Sequence, residues 1–497
     1  MPELRERYRF GELQDNSERA CVSAWEEFGH AQLGDRRRTA RLVSITTRVL
    51  ERPAGTIQGV FDNLAELHGA YDFVENDLID PAAMMASAAA ATARRASGCP
   101  FVWIATDGTS RSVTDRTKSK DTGRLGANKT GGRGDLVHSA LVLDPRGVPL
   151  GIAALEQWQR DAVATSASRR MRTTEQKETQ RWLDARNAVR TTFEQHCPHV
   201  LRHYLHDRGA DAWPVILDAV QWREDEHSTI RAAWDRRLWN EDAAENTETS
   251  YLRAQLEQSA VMGTFELPVS AAPKRAAREA TIEVRACEVT LDLENKRTSR
   301  HHTARIWVIC AREASRVPAG EQALEWLLLT TYPVHTFDDA IFVIEGYSYR
   351  WRIEQFHQAW KSAGTDVESS QLEAADHRER WSIILAVVAA TLLRWQLLAV
   401  SAPETPAEQE FTAEQIDAVR DLQEDGVVPE EGRVTLWQVI VALAYLGGWA
   451  GSKTRAPGVT VIARGWRDVT AYLRGKRRAA QRARRRLTTP PDDGAAQ

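Results

Sequence analysis

The run PFVWIATD, Pro100–Asp107, breaks the helical spacing that precedes it: aromatic and β-branched residues fill a strand's length and end in a carboxylate. HSALVLD (His138–Asp144) and VPLGIAALEQW (Val148–Trp158) repeat the pattern, the first two runs being separated by a Gly- and Lys-rich stretch, Thr114–Asp135. Helical spacing around Glu175–Phe193 follows, then a strand-like HVLRHYLHD ending at Asp207, then a further helix-plus-strand signal. Asp107 and Asp207 are thus each expected to terminate a strand. For a lone aspartate there, a turn-forming role is the ordinary reading.

Three strands, a helix and another strand open an α/β domain of ribonuclease-H-like type. Upstream, Asp35 reads as the N-cap of a helix carrying Arg36, Arg37, Arg38 and Arg41 in its first turns, with Leu42, Ile45, Val49 and Leu50 at helical spacing. Arginines there gain nothing from the helix dipole, which points to a task outside the helix; a solvated helix end is the plain alternative. Downstream, alternating segments such as ATIEVRACEVTLDL indicate an inserted β region at about 240–320. Helical spacing returns at Asp338 and runs to the end, interrupted by an acidic, Pro-containing linker near Ala402–Arg433. The expected organisation is a helical N-terminal domain (1–80), an α/β catalytic domain (81–395), a helical C-terminal domain with a basic tail (396–487) and a disordered end (488–497).

Hydrophobic residues make up 42% of the 497 and charged residues 27%, the balance of a globular protein. The N-terminus MPELRERYRF is polar, and no run reaches the ~18 consecutive apolar residues of a spanning helix, so no membrane partner and a cytoplasmic location are expected. Five scattered cysteines without a C-x-x-C pair suggest neither a disulfide framework nor a zinc site. A net charge of −4 excludes a uniformly basic coat, yet Arg474, Lys476, Arg477, Arg478, Arg482, Arg484, Arg485 and Arg486 crowd the tail. Such a run suits sequence-independent phosphate contacts, a solubilising helix end being the alternative.

YSYRWRIEQFHQAWK, Tyr347–Lys361, carries the most chemistry. At about 100° per residue, Tyr347, Arg350, Glu354 and Lys361 fall within a sector of roughly 60° on a helix. A carboxylate that can hold a metal ion then lies beside cations and a phenol that can grip phosphates. The plain alternative is a salt-bridged surface, Arg350 and Glu354 forming an i,i+4 pair.

This stretch resembles the Tyr-x-x-Arg-x-x-x-Glu, six residues, Lys signature of the insertion-sequence-four family of bacterial DDE transposases. Similar segments extend along the chain: LGDRRRTARLV, HGAYDFVEN, WIATDGTS, VHSALVL, DRGAD at Asp207–Asp211, EWLLLTTYPV at Glu325–Val334, and LGGW-x-x-SK at Leu446–Lys453. The resemblance implies a cut-and-paste transposase working in the bacterial nucleoid, with Asp107, Asp207 and Glu354 as catalytic ligands of two Mg²⁺ ions that Mn²⁺ can replace. It implies a hairpin intermediate and double-stranded DNA partners, both transposon ends and target. Trp326 is expected to stack on a flipped base, a core tryptophan being the alternative; Tyr347, Arg350, Lys361 and His357 to grip phosphates; and Arg37, Arg38 and Arg41 to contact the ends. A non-catalytic regulator of transposition on the same fold is the competing function. Asp72, Gly209 and Trp213 depart from the family pattern, which bears on end specificity. Cutting two ends together calls for a homodimer on DNA, expected through Leu436–Trp466 with Val439, Leu443 and Leu446 as its apolar face.

Overall fold

The computed structural model describes residues 24–115, 119–125, 132–160, 172–221, 223–239, 250–272, 275–424, 426–452 and 455–488. The last residues, Lys453 and the N-terminus lie outside that set, and so do the expectations placed on them. Packing divides the chain into two units. Among the described residues, one comprises Ala89–Ser112 and Thr122–Gln355; the other takes 24–88, Val113–Asp121, and everything from Phe356.

The first unit is built on a sheet of ten described strands: β1 (Phe101–Ser112), β2 (Gly123–Arg124), β3 (Arg133–Leu143), β4 (Pro149–Trp158), β5 (Leu201–His206), β6 (Glu226–Arg231), β7 (Val261–Val269), β8 (Arg278–Asn295), β9 (Arg300–Glu313) and β10 (Glu325–Thr330). Their order is β2-β3-β1-β5-β6-β10-β9-β8-β7, with β4 also on β3. β1 runs antiparallel to β3 and parallel to β5, and β5 parallel to β6. The central strand β1 is buried on both faces from Phe101 to Thr106, which is why its sequence is a continuous apolar run rather than an alternating one.

Helices cover the two faces of β1. The helix Gln180–His196 sets Trp182 edge-on to His138 and His206. On the opposite face, Trp103 packs against Phe342 and His203 at ring distances of 4.9 and 4.8 Å. Buried Glu226 on β6 accepts from Arg190 and Arg202 and pairs with Arg186, fastening that helix to β5 and β6. A buried carboxylate persists when guanidinium groups satisfy it in this way.

The region expected as a β insert is no separate layer. β10 pairs antiparallel with β6 and with β9, so β7–β10 prolong the central sheet. Both expected strand ends also shift. β5 stops at His206, one residue before Asp207, while β1 runs five residues past Asp107 because β3 goes on pairing it to Ser112. Asp107 therefore lies within a strand, at the point where its β5 neighbour gives out.

In the second unit, the helix Ala375–Ser401 is long and apolar enough to cross a membrane by composition, but 89% of its most apolar stretch is buried in the protein. It is the core helix. N-terminal and C-terminal segments pack here together: Trp381 Nε1 donates to Gly55 O at 2.6 Å, Trp466 Nε1 to Leu50 O at 2.7 Å, and Thr470 Oγ1 to Glu51 O. The last two satisfy carbonyls at the end of the helix Arg36–Glu51 that have no partner within it.

The apolar face expected to meet a second subunit is largely consumed inside this unit. Val439 and Leu443 of the helix Leu436–Leu446 are fully buried. A Cβ on Gly447 would meet Val461 O at 1.9 Å and one on Gly465 would meet Leu443 O at 1.8 Å, so this helix and Val459–Thr488 cross backbone to backbone. Leu446 stays half-buried. The apolar spacing read as a dimer seam is the imprint of this crossing.

Candidate active site

Register brings the first two acids together. Thr106 pairs with His206 between parallel strands, so Asp107 and Asp207 are the next residues of adjacent chains. Alternation along β1 turns Asp107 to the face of Trp103, the face that carries the helix Phe337–Ser348. That helix starts from a capping box of Thr336 and Asp339 and lies close on β1, a Cβ on Gly346 meeting the Trp103 ring at 2.2 Å.

The signature is one helix in sequence and four segments in space. Phe337–Ser348 is followed by a 3₁₀ turn at Tyr349–Trp351, an α-helix at Arg352–Gln358 and a π-turn at Ala359–Ala363. A uniform 100° step does not hold across them. Tyr347, Arg350 and Glu354 still converge: Arg350 Nη2 donates to Glu354 Oε1 at 2.6 Å, Arg350 Nη1 lies 3.7 Å from Asp107 Oδ2, and the guanidinium sits 6.0 Å from the Tyr347 ring centre. The i,i+4 ion pair of the plain reading is thus present, with a third partner that it did not include. Lys361 belongs to the second unit and lies 3.6 Å from Glu368; His357, also there, is buried with its ring against Phe356.

Burial, with charge second, perturbs Asp107. Burial pushes its carboxyl up to about 7; the Asp207 carboxylate adds to the rise and Glu354 adds less, against the pull of Arg350 and of the Gly108 N–H. Both acids are held locally, since Gly108 N donates to Asp107 Oδ1 at 2.7 Å and Gly209 N donates to Asp207 Oδ1 at 2.7 Å. Asp207 therefore does cap a turn, Arg208–Ala210, as a lone aspartate would. Gly209 leaves it room: a Cβ there would lie 3.0 Å from Asp207 Oδ1. Beneath them, burial keeps His206 neutral, well below the usual imidazole range, with Nδ1 2.5 Å from Thr106 Oγ1.

Two buried polar atoms at the site have no hydrogen-bond partner, Tyr347 Oη and Arg350 Nη1; a third, Arg231 Nε, lies on β6 within electrostatic reach of Tyr347, Arg350 and Asp207. Orphaned donors beside a cluster of acids suit an anionic ligand held with cations. Arg231 escaped the sequence reading because nothing near it in the chain is unusual; strand pairing alone brings it in. Trp326, half-buried on β10, meets the Tyr347 ring edge-on at 5.4 Å. Trp351, inside the signature, is 58% exposed and was likewise passed over.

Among the described residues, Asp77, Asp376 and His377 of the second unit bring ligating atoms within 4.8 Å of one another, while Asp107, Asp207 and Glu354 are set wider. Asp376 is engaged at 3.0 Å by Arg380, a buried arginine that also donates to Val74 O and Ile79 O. At the N-terminal helix, Asp35 caps through Arg37 N, the Arg37 side chain is 94% exposed, Arg41 is exposed above Gly69, and Arg38 donates to Leu33 O at 2.9 Å. In the tail, Lys476 and Arg477 are engaged by Asp421 and Glu414, whereas Arg478 and Arg482 are exposed. The Arg484–Arg486 side chains lie outside the described set.

Since Gly346 carries the signature helix onto Trp103, Gly346→Ala is expected to force the helix outward and lower unfolding stability by about 1–3 kcal/mol. Denaturant unfolding with an unchanged midpoint would show that the contact yields without cost.

Residues 22–79 match the transposase DNA-binding family. The chain is also similar to the cryo-EM structure of a piggyBac transposase synaptic complex with hairpin DNA, at 7% identity and a TM-score of 0.29, over 79% of this chain and 55% of that one. It thus spans about half the length of that structure.

Proposed function

We propose that this chain, which carries a transposase DNA-binding domain near its N-terminus, is a cut-and-paste DNA transposase whose catalytic part has the ribonuclease-H-like fold. The convergence of Asp107 and Glu354 on Arg350, with Asp207 acting on Asp107 from the adjacent strand end, is the observation that carries the reading. The strand order β4-β3-β1-β5-β6, antiparallel on one side of β1 and parallel on the other, supports the fold assignment.

Asp107, Asp207 and Glu354 would hold two Mg²⁺ ions, or Mn²⁺ in their place. Bound there, the ions stabilise the attacking and leaving oxygens of an in-line phosphoryl displacement. Three oxygen-bearing acids, one of which retains its proton near neutrality when no ion offsets its neighbours, are a donor set suited to hard divalent cations. The chain's own cations hold DNA around the reacting phosphate. Arg350 Nη1, Tyr347 Oη and Arg231 Nε each have a proton to give to a phosphate oxygen. Lys361 and His357 would contact the backbone farther along. Arg37 and Arg41, exposed on the helix Arg36–Glu51, would approach the transposon end, and Arg38 would support them from its bond to Leu33.

The products expected with Mg²⁺, the cognate end DNA and a plasmid are end nicks, hairpins and joined strands. Nicks without joining would reduce the enzyme to a nuclease; DNA binding without any product would make it a regulator. A sharply bent hairpin end cannot keep every base stacked, and Trp326, edge-on to Tyr347, would receive one. Trp326→Ala is expected to leave the first nick and slow hairpin formation about 5- to 150-fold, the equivalent of ~1–3 kcal/mol for one stacking partner. Equal loss at both steps would assign Trp326 to the core.

A further inference from the structure

The geometry points to Arg350 as a stand-in cation that occupies the carboxylate cluster in the absence of DNA and must leave Glu354 before divalent ions bind. This rests on the active site proposed above. Glu354 Oε1 is hydrogen-bonded to Arg350 Nη2 at 2.6 Å, an oxygen a metal ion would otherwise take. The second amino group leans to Asp107 at 3.7 Å without bonding it, and that nitrogen is buried with no hydrogen-bond partner. One half of the guanidinium is therefore tightly held and the other half unsatisfied.

That imbalance gives the cluster a direction. Without the guanidinium, acids this close would repel, and a single positive charge between two of them lowers that cost. A bound divalent ion does the same with more charge, so the two cations compete for one place. A DNA phosphate offers Arg350 the acceptor its orphaned nitrogen lacks, in the two-toothed geometry that guanidinium groups favour. Arg350 also stands in the 3₁₀ turn between two helices, where a small backbone adjustment redirects the side chain. DNA arriving at the site thus frees Glu354, and metal loading is coupled to substrate. By linkage, ions then tighten DNA by the factor by which DNA tightens ions.

The test is Mn²⁺ binding to the full, DNA-free chain, read by the loss of the free-ion electron paramagnetic resonance signal. Arg350→Gln should bind Mn²⁺ about 10-fold tighter or more than the wild type, and its melting temperature in EDTA should fall and recover with Mn²⁺. Arg350→Lys keeps the charge but cannot reach both acids with a planar fork, so it should fall between, at about 3-fold. Should Arg350→Gln not fold, the Lys variant decides. In the wild type, Ca²⁺ should tighten DNA binding relative to EDTA, and Arg350→Gln should lose that effect. Equal or weaker Mn²⁺ binding in the variants overturns the inference. If Asp107→Asn and Glu354→Gln leave Mn²⁺ affinity unchanged in both backgrounds, the ions bind elsewhere and the proposed active site itself is wrong.

Discussion

Alanine at Asp107, Asp207 or Glu354 is expected to lower end cleavage by about 10³-fold or more, because each removal forfeits several kcal/mol of charge stabilisation at the transition state. Measured in EDTA, where no ion couples the acids to DNA, affinity for end DNA should stay within about twofold, since under the proposed function phosphate and base contacts from the N-terminal helix, rather than the acids, carry binding. The three substitutions differ in their structural side effects, which makes the comparison informative. Asp207→Ala also removes the acceptor of Gly209 N and uncaps the turn Arg208–Ala210, so it should cost some stability. Glu354→Ala releases Arg350, leaving it the weaker pull of Asp107. Asp107→Ala removes the acid whose ionised form is hardest to keep. A gel assay of nicked ends beside a mobility-shift assay reads both quantities. Cleavage that survives any one of the three would remove that residue from the reacting centre.

The strands around Asp107 were legible because a strand covered on both faces is mostly apolar, and Phe101–Ala105 is wholly so. Its neighbour's position was legible too, since HVLRHYLHD has a strand's composition and an acid after it. The length of β1 was not. Whether a strand ends at its carboxylate depends on which partners continue, and β3 supplies a partner to Ser112 where β5 does not. Likewise YSYRWRIEQFHQAWK contains no proline and no internal glycine, so nothing local announces a 3₁₀ turn at Tyr349. The tertiary setting favours one: Tyr349 lies on Gly147, a left-handed turn position with φ of 78°, where a Cβ would meet its ring at 2.5 Å.

Nonlocal pairing hid the rest. β10 joins β6 across about a hundred residues, which turns an apparent insert into the continuation of the sheet and carries Trp326 to Tyr347. Arg231 arrives by the pairing of β6 with β5, whose register sets Ile230 beside His206. The hydrogen bonds of Trp466 and Thr470 to the end of the helix Arg36–Glu51 join segments more than four hundred residues apart, beyond any periodicity argument. The apolar face of Leu436–Leu446 is legible in the sequence, but periodicity cannot say whether its partner is a second subunit, as expected, or the next helix. Gly447 and Gly465 are the local trace of the answer, because two backbones approach this closely only where both lack a side chain.

Raised pH is expected to destabilise the metal-free protein through Asp107. Its folded carboxyl titrates at about 7 against an ordinary value of 3.8, burial being the main cause and the Asp207 carboxylate the next. The folded state therefore holds the proton more tightly than the unfolded one. The stability that proton confers is complete below about pH 4, declines above it, and is lost once pH passes about 7. A shift of about three units sets a ceiling of ~4 kcal/mol, and the realised effect should be on the order of half that, because the Arg350 side chain and entering water respond to the ionised form. Melting curves in EDTA from pH 5 to 8 should thus fall more steeply for the wild type than for Asp107→Asn, which has no such proton to lose and should be the more stable protein at pH 8. Magnesium should invert the comparison: ions bind the ionised carboxylates, so their stabilisation grows with pH in the wild type and is largely absent from the variant. Parallel curves for the two proteins in EDTA would show that Asp107 is already ionised at neutral pH and that Arg350 fully offsets its neighbours. A site that is costly to keep ionised when empty, and favourable when filled, trades stability for metal affinity at a single residue.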